Sequence, residues 1–180
     1  FVLYTVVSEF HNGARARMAM VGEGYVDALR GLLRKNQRRY GGYVIHVGIV
    51  FMFLGVTMSS VYRVEELHTV KKGEEFTIGD YTLRYEDVSS IEDEHVARLI
   101  AKLTAYSGGS AIAKLEPEKR FYKRPEQPAT EVAMRSTMKD DLYVILGSYD
   151  KDGTATFQAY VNPLVWWLWF GGVVLVLGTA

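Results

Sequence analysis

The sequence contains no cysteine. That excludes disulfides, thiolate metal sites and cysteine nucleophiles, and it leaves the redox compartment open. It also lacks a surplus of either charge, because 21 lysines and arginines balance 21 aspartates and glutamates. A general nucleic-acid binder needs a basic excess to displace counterions from phosphates, so no nucleic-acid partner is expected. A phosphate-binding glycine loop, a Ser/His/Asp order and a metalloprotease motif are missing as well. The opening apolar run FVLYTVV has no initiator Met, no basic residues before it and no small-residue cleavage site after it. It is therefore not a signal peptide, and it reads as the end of an earlier transmembrane helix.

What the chain has instead is concentrated hydrophobicity. Residues 43–62 read YVIHVGIVFMFLGVTMSSVY, twenty residues without a formal charge. Residues 164–180 read LVWWLWFGGVVLVLGTA, uncharged and apolar to the last position. About twenty residues at ~1.5 Å rise cross a hydrocarbon core roughly 30 Å thick. The first run is long enough to span, and the second reads as the start of a transmembrane helix. Between residues 8 and 42 seven arginines and lysines stand against three acidic residues. A short basic segment beside a span belongs in the cytoplasm by the positive-inside rule, which puts residues 63–163 on the extracytoplasmic side. The same basic cluster also suits contact with anionic membrane lipid or phosphate. Residues 18–33 carry a helical pattern through Val21, Tyr25, Ala28, Leu29 and Leu32.

Residues 63–163 read as β. EFTIGDYTLRY (75–85) offers two strands around Gly79 and Asp80, and HVARLIAKLTAY (95–106) alternates apolar and polar positions. Residues 110–115 can pair back as a hairpin across Gly108 and Gly109. Residues 115–128, rich in proline and charge, suit an irregular crossing. Strands are expected over 130–137, 142–149 and 154–161, the last two joined by the turn Asp150-Lys151-Asp152-Gly153. Short strands at regular spacing predict a small sandwich or barrel. The expected fold is thus a membrane α-helical protein with an inserted small all-β extracytoplasmic domain.

His46 is the residue most in need of a reason. A titratable side chain in an uncharged span costs free energy unless it is paired or faces a protein interior. It can hydrogen-bond a neighbouring helix, ligate haem iron axially, or relay protons as in a transporter. Gly42, His46, Ile49 or Val50, Phe53 and Thr57 fall near one face, while Gly41, Gly48 and Gly55 recur every seven residues on another, where helices can approach closely. Trp166, Trp167 and Trp169 suit a membrane interface, or a platform for a porphyrin ring. His68, His95 and His11 lack metal-ligand spacing, and Glu92-Asp93-Glu94 reads as solvated charge.

The stretch RRYGGYVIHVGIVFMFLG (38–55) resembles the cytochrome c biogenesis protein family CcmF. EFHNGARAR (9–17), residues 115–150 and YVNPLVWWLWFGG (160–172) are similar to that family in the same order. The resemblance implies a haem-handling protein of cytochrome c maturation, in the bacterial inner (plasma) membrane or its organellar counterpart, with several spans. It implies a haem lyase that receives haem from a CcmE-type haem chaperone and works with CcmH/CcmI-type proteins on apocytochrome c. It further implies a b haem (haem b) held by two transmembrane histidines, and His46 matches one of them. The family's WWD haem site is not among these residues, and the second histidine is expected on a helix outside this sequence. No catalytic residue is therefore assigned here, and the resemblance covers about the last third of a family member. A structural and docking module within the same maturation complex is the competing function.

Overall fold

The computed structural model describes residues 1–123 and 126–179, the side chains of 126 and 127 excepted. It divides into two compact units, Phe1–Met58 with Leu164–Ala180, and Ser59–Pro163.

In the helical unit, α1 (Val2–Val21), α2 (Tyr25–Lys35), α3 (Gln37–Val61) and α4 (Val165–Thr179) follow in chain order. The apolar start does not end its helix at Val7. Instead α1 continues into the basic segment, because Phe10, Ala14 and Met18 recur at helical spacing and pack with Ala28, Leu32 and Tyr40. The pattern over residues 18–33 is likewise not one helix. Gly22 adopts φ 73°, its N–H bonds the Met18 carbonyl at 2.8 Å, and the chain turns back as α2. Such a left-handed cap is easily reached only without a Cβ. Arg17 of α1 pairs with Glu23 in the turn, and Phe10 packs on Tyr40 with ring centroids 5.0 Å apart. Asn36 separates α2 from α3, so α3 begins six residues before the uncharged run and includes Arg38 and Arg39.

The other unit is a β-sandwich, and its two sheets are wholly antiparallel. One runs β1 (Val64–Lys71), β10 (Thr154–Pro163), β9 (Asp140–Tyr149), β8 (Ala133–Ser136). The second runs β2 (Glu75–Ile78), β3 (Tyr81–Glu92), β4 (Val96–Ser107), β6 (Glu118–Lys123), β7 (Glu126–Glu131), with β5 (Ser110–Leu115) also on β4. Period-two alternation fills the interior: Leu142, Val144 and Leu146 from β9, Ala155, Phe157 and Ala159 from β10, and Ala101, Leu103 and Ala105 from β4 are all buried. Phe157 is completely enclosed and stacks on Phe76 at 5.8 Å and edge-on to Tyr85 at 5.3 Å. Burying one such side chain stabilises by roughly 1.5–3 kcal/mol.

Two departures from the sequence pattern have local causes. Strand β3 does not stop at Tyr85. A bulge between Tyr85 and Asp87 switches its inward face from odd to even positions, and polar residues then carry it to Glu92 opposite the first half of β4. The described residues of 115–128 are not an irregular crossing either, while 124 and 125 lie outside the described residues. Pro117 is buried, and its carbonyl accepts the Ala101 N–H at 3.0 Å. That bond hands β4 from β5 to β6. The charges of β6 pair within the strand and with its neighbours, with Arg120 bonding Glu118 at 2.8 Å and Glu131 of β7 at 3.2 Å. Pro128 stands on edge strand β7, where a missing N–H removes no ladder bond. Strand β1 carries its own exposed charges and has only Val70 fully inside, which masks its alternation.

One buried polar group is shared across the sandwich. The Tyr81 hydroxyl donates to Asp140 Oδ1 at 2.5 Å, and Thr137 closes the adjoining turn by accepting the Asp140 N–H at 3.0 Å. Burial, then the Asp140 carboxylate, push the Tyr81 phenol from its ordinary 10.0 to about 12. A proton held more tightly when folded contributes stability that is complete below the unfolded value and is lost as pH rises through the folded one. Urea unfolding should therefore show the β-domain weakening between about pH 10 and 12. Tyr81→Phe should remove this tyrosine's share of that slope and lower stability at pH 7 by about 1–3 kcal/mol, the cost of a buried acceptor losing its donor. An unchanged slope would deny the coupling.

Candidate functional site

The histidine-bearing helix α3 contains 25 residues, which at ~1.5 Å each is more than a hydrocarbon core requires. Among the described residues it is the one helix long and apolar enough to cross a membrane, and α4 is apolar but shorter.

The rotation of α3 is set by glycine. A methyl added at Gly48 would lie 2.7 Å from the Gly171 carbonyl oxygen, and one at Gly41 would lie 2.5 Å from that of Gly178. One at Gly55 would lie 2.7 Å from the Leu168 nitrogen. The antiparallel helices thus meet backbone to backbone at heptad intervals, a separation that small residues permit. Sequence reading had one half of this seam in Gly41, Gly48 and Gly55. The matching heptad step from Gly171 to Gly178 was visible in the sequence but not connected to it. Beside the seam, Phe51 stacks on Trp167 at 5.3 Å and meets Phe170 at 5.2 Å, while Trp166 stacks on Phe170 at 5.5 Å. Trp167 therefore helps build the helix pair, Trp166 packs on its own helix, and Trp169 is exposed.

At about 100° per residue, His46 lies roughly 160° around α3 from the seam. It is exposed there, on the same side as Phe53, which is 69% exposed, and Thr57. Its Nδ1 sits 2.7 Å from the Gly42 carbonyl oxygen. A carbonyl can only accept, so Nδ1 carries the hydrogen, and in the neutral imidazole Nε2 is then the nitrogen with the lone pair. No hydrogen-bond partner for Nε2 is found among the described residues. The chemistry of this arrangement is that of a neutral imidazole presenting one coordinating nitrogen, its ring orientation fixed by the bond at the other.

Each of the other histidines has surroundings of its own. His68 on β1 bonds Glu66 at 2.8 Å and stacks on Phe76 at 4.8 Å, so it covers the rim of the core rather than standing free. His95 lies at the β3–β4 turn, where its carbonyl accepts the Lys123 N–H at 2.9 Å. His11 approaches the Tyr25 hydroxyl at 3.4 Å. Glu92 pairs with Lys123 at 2.9 Å, which holds its carboxyl below the usual range, and no group of three or more metal-ligating side chains occurs among the described residues. Sequence reasoning missed the network in which Glu118 bonds Arg120 and lies 3.8 Å from Arg98, because it joins residues twenty apart through the β4–β6 register. Arg120 foremost, and Arg98 with it, hold the Glu118 carboxyl below its ordinary value.

The sandwich sets the class. Residues 61–163 match the family description "CcmF C-terminal beta-sandwich". The chain belongs to the CcmF family. It is 31% identical over 150 residues to the cytochrome c-type biogenesis protein CcmF of Pseudomonas fluorescens, covering 83% of this chain and 23% of that protein. Against the cytochrome c-type biogenesis protein ccl1 of Rhodobacter capsulatus the identity is 27%, over 82% of this chain and 22% of that protein. Against Escherichia coli CcmF it is 28%, over 77% and 22%. The chain therefore spans under a quarter of the length of these relatives. A solved structure of the cytochrome c heme lyase CcmF superposes with a TM-score of 0.65 at 21% identity, over 98% of this chain and 33% of that one, and so shares its fold.

The glycine seam makes a prediction of its own. Gly48→Leu should force α3 and α4 apart, since the obstructing atoms are backbone, and overpacking of this kind costs roughly 1–3 kcal/mol. Gly42→Ala, where a Cβ meets nothing within 4 Å, is the control. In thermal unfolding in detergent the first should lose several degrees and the second should match wild type; equal behaviour would remove the seam's importance.

Proposed function

We propose that this chain serves cytochrome c maturation as the part of a haem lyase in which His46 Nε2 is one axial ligand of an intramembrane b haem. The observation that carries this is the imidazole itself: Nδ1 bonded to Gly42, Nε2 without a hydrogen-bond partner among the described residues, on the side of α3 turned away from α4. Family membership supplies the haem chemistry. The donor set suits iron in a membrane, because a neutral imidazole adds no charge to the span. When bound, such a haem supplies one-electron transfer, which would serve to reduce the haem delivered for attachment. This chain's own contribution is positional. The Gly42 carbonyl fixes the tautomer, α4 fixes the helix rotation, and exposed Phe53 extends the apolar face on which a porphyrin edge would rest.

In this reading α3 crosses the bacterial inner membrane, the basic segment before it lies in the cytoplasm, and the sandwich lies outside. The seven cationic residues between positions 8 and 42 support that orientation. The CcmE-type haem chaperone, CcmH/CcmI-type proteins and apocytochrome c are then partners on the extracytoplasmic side. His46→Ala should abolish the bis-histidine b-haem signal in a reduced-minus-oxidised spectrum of the full assembly that carries the second histidine, with expression unchanged. A spectrum identical to wild type would reject His46 as a ligand.

A second reading, compatible with the first, makes the sandwich a docking module. It is supported by an ordered domain that holds no metal-ligand cluster among its described residues, yet displays the Arg98, Glu118, Arg120 and Glu131 network on its outer face. Removing residues 64–160 should eliminate co-purification of CcmH/CcmI-type partners while leaving the haem spectrum intact. Undiminished partner yield would move docking elsewhere.

A further inference from the structure

A small cavity of about 210 Å³ opens where α2, α3 and α4 converge, lined by Leu33, Arg34, Gln37, Gly41, Val44, Leu177 and Gly178. Its two kinds of wall differ sharply. Leu33, Val44 and Leu177 make an apolar side, and the close approach of Gly41 to Gly178 leaves no side chain to fill the floor. Arg34 and Gln37 supply the polar side. They lie three residues apart across the junction at Asn36, so the polar groups collect at one end of α3.

The charges around the cavity are unevenly satisfied. Arg17 pairs with Glu23, Arg39 with Glu9 at 2.8 Å, and Arg30 lies 3.9 Å from Asp27. Arg34, Lys35 and Arg38 have no carboxylate within ion-pair distance among the described residues. Arg15 on α1 is unpaired too among the described residues, but the other unneutralised cations of the helical unit gather at this end of α2 and start of α3. Its surroundings extend the same pattern, since Val26 and Leu33 of α2 are exposed apolar side chains that flank Arg30 and Arg34 on one side of the helix. A helix with an apolar stripe bordered by cations settles in the headgroup layer of a membrane.

We propose that this cavity binds an anionic phospholipid, with the phosphate on Arg34 and Gln37 and the start of an acyl chain against Leu33, Val44 and Leu177. Arg34 presents the planar fork that phosphate oxygens accept. Free phosphate would satisfy the guanidinium and leave the apolar wall uncovered. A zwitterionic lipid would bring its own cation beside Arg34, Lys35 and Arg38. The anionic lipid matches both walls and the unpaired charge. The proposal rests on α3 crossing the membrane with its basic end at the cytoplasmic surface.

The test is native mass spectrometry of the detergent-purified protein, titrated with phosphatidylglycerol, phosphatidylethanolamine of the same acyl chains, or inorganic phosphate. Wild type should retain phosphatidylglycerol at least about tenfold more than phosphatidylethanolamine, the order expected for a paired guanidinium–phosphate contact. Arg34→Gln should bring the two lipids level, Arg34→Lys should recover part of the preference, and Val44→Phe should lower retention of both lipids with all charges present. An unaltered thermal unfolding curve followed by circular dichroism in each variant checks that the fold survives. Equal retention of the two lipids by wild type, or an undiminished preference in Arg34→Gln, overturns the site. Displacement of phosphatidylglycerol by equimolar inorganic phosphate overturns it too, reducing it to a phosphate contact. Carbonate extraction separates this from the larger reading: release of the protein from membranes would defeat the spanning reading along with the site, whereas retention without lipid preference defeats the site alone.

Discussion

The close approach of two helix backbones at Gly48 and Gly171 is the constraint on which the helical unit turns. With a Cβ at either position meeting backbone at 2.7 Å or less, neither helix can rotate about its axis without separating from the other. The phase of α3 is therefore fixed by residues that have no side chain at all. Everything distinctive about the helix is then arranged by angle. Phe51 falls beside the seam, among the tryptophans, and His46 falls opposite it. The bond from Nδ1 to the Gly42 carbonyl adds the last degree of order, because it decides which nitrogen is a base. A loosely packed α3 would carry the same histidine without giving it a direction.

The sandwich meets a different demand. It must leave one helix and return to another within about a hundred residues, and it does so by pairing its first strand with its last: β1 lies on β10 from Val64 opposite Val161 to Lys71 opposite Thr154. The strands that adjoin α3 and α4 in sequence are thus hydrogen-bonded neighbours over eight residue pairs. The remaining strands fill two sheets around Phe157.

Much of this was legible in the residues. Hydrophobic run length marked α3, period-two alternation marked β4, β9 and β10, and the paired glycines marked the β4–β5 turn. The misses share one cause, which is that a partner segment supplied the stability. Strand β3 continues through Glu86, Asp87, Ser89 and Ser90 because β4 offers it a ladder. Likewise β6 and β7 form from a segment rich in proline and charge because Glu118 and Arg120 neutralise each other and Pro128 takes an edge. Helix α1 runs past its apolar start because α2 folds back on it. His46 stood out at once, since an ionisable group in an uncharged run needs a reason. Its tautomer and its direction did not, because both depend on distances that spacing alone does not give.

The handover at Pro117 gives sheet β2-β3-β4-β6-β7 an internal grain. Strand β4 is held by β5 along its second half, where Ala101, Leu103 and Ala105 face the enclosed core. Along its first half it is held by β6, where Phe121 and Tyr122 are about two-fifths exposed and ion pairs replace buried apolar contacts. Local opening free energies follow buried contact, so the two halves of one continuous strand belong to different cooperative units. The far end, with its hairpins β3–β4 and β6–β7, can open and reclose while Phe157 stays enclosed. The domain is in this sense a rigid root with a compliant tip, able to adjust its outer surface without disturbing the strands that lead into the helices.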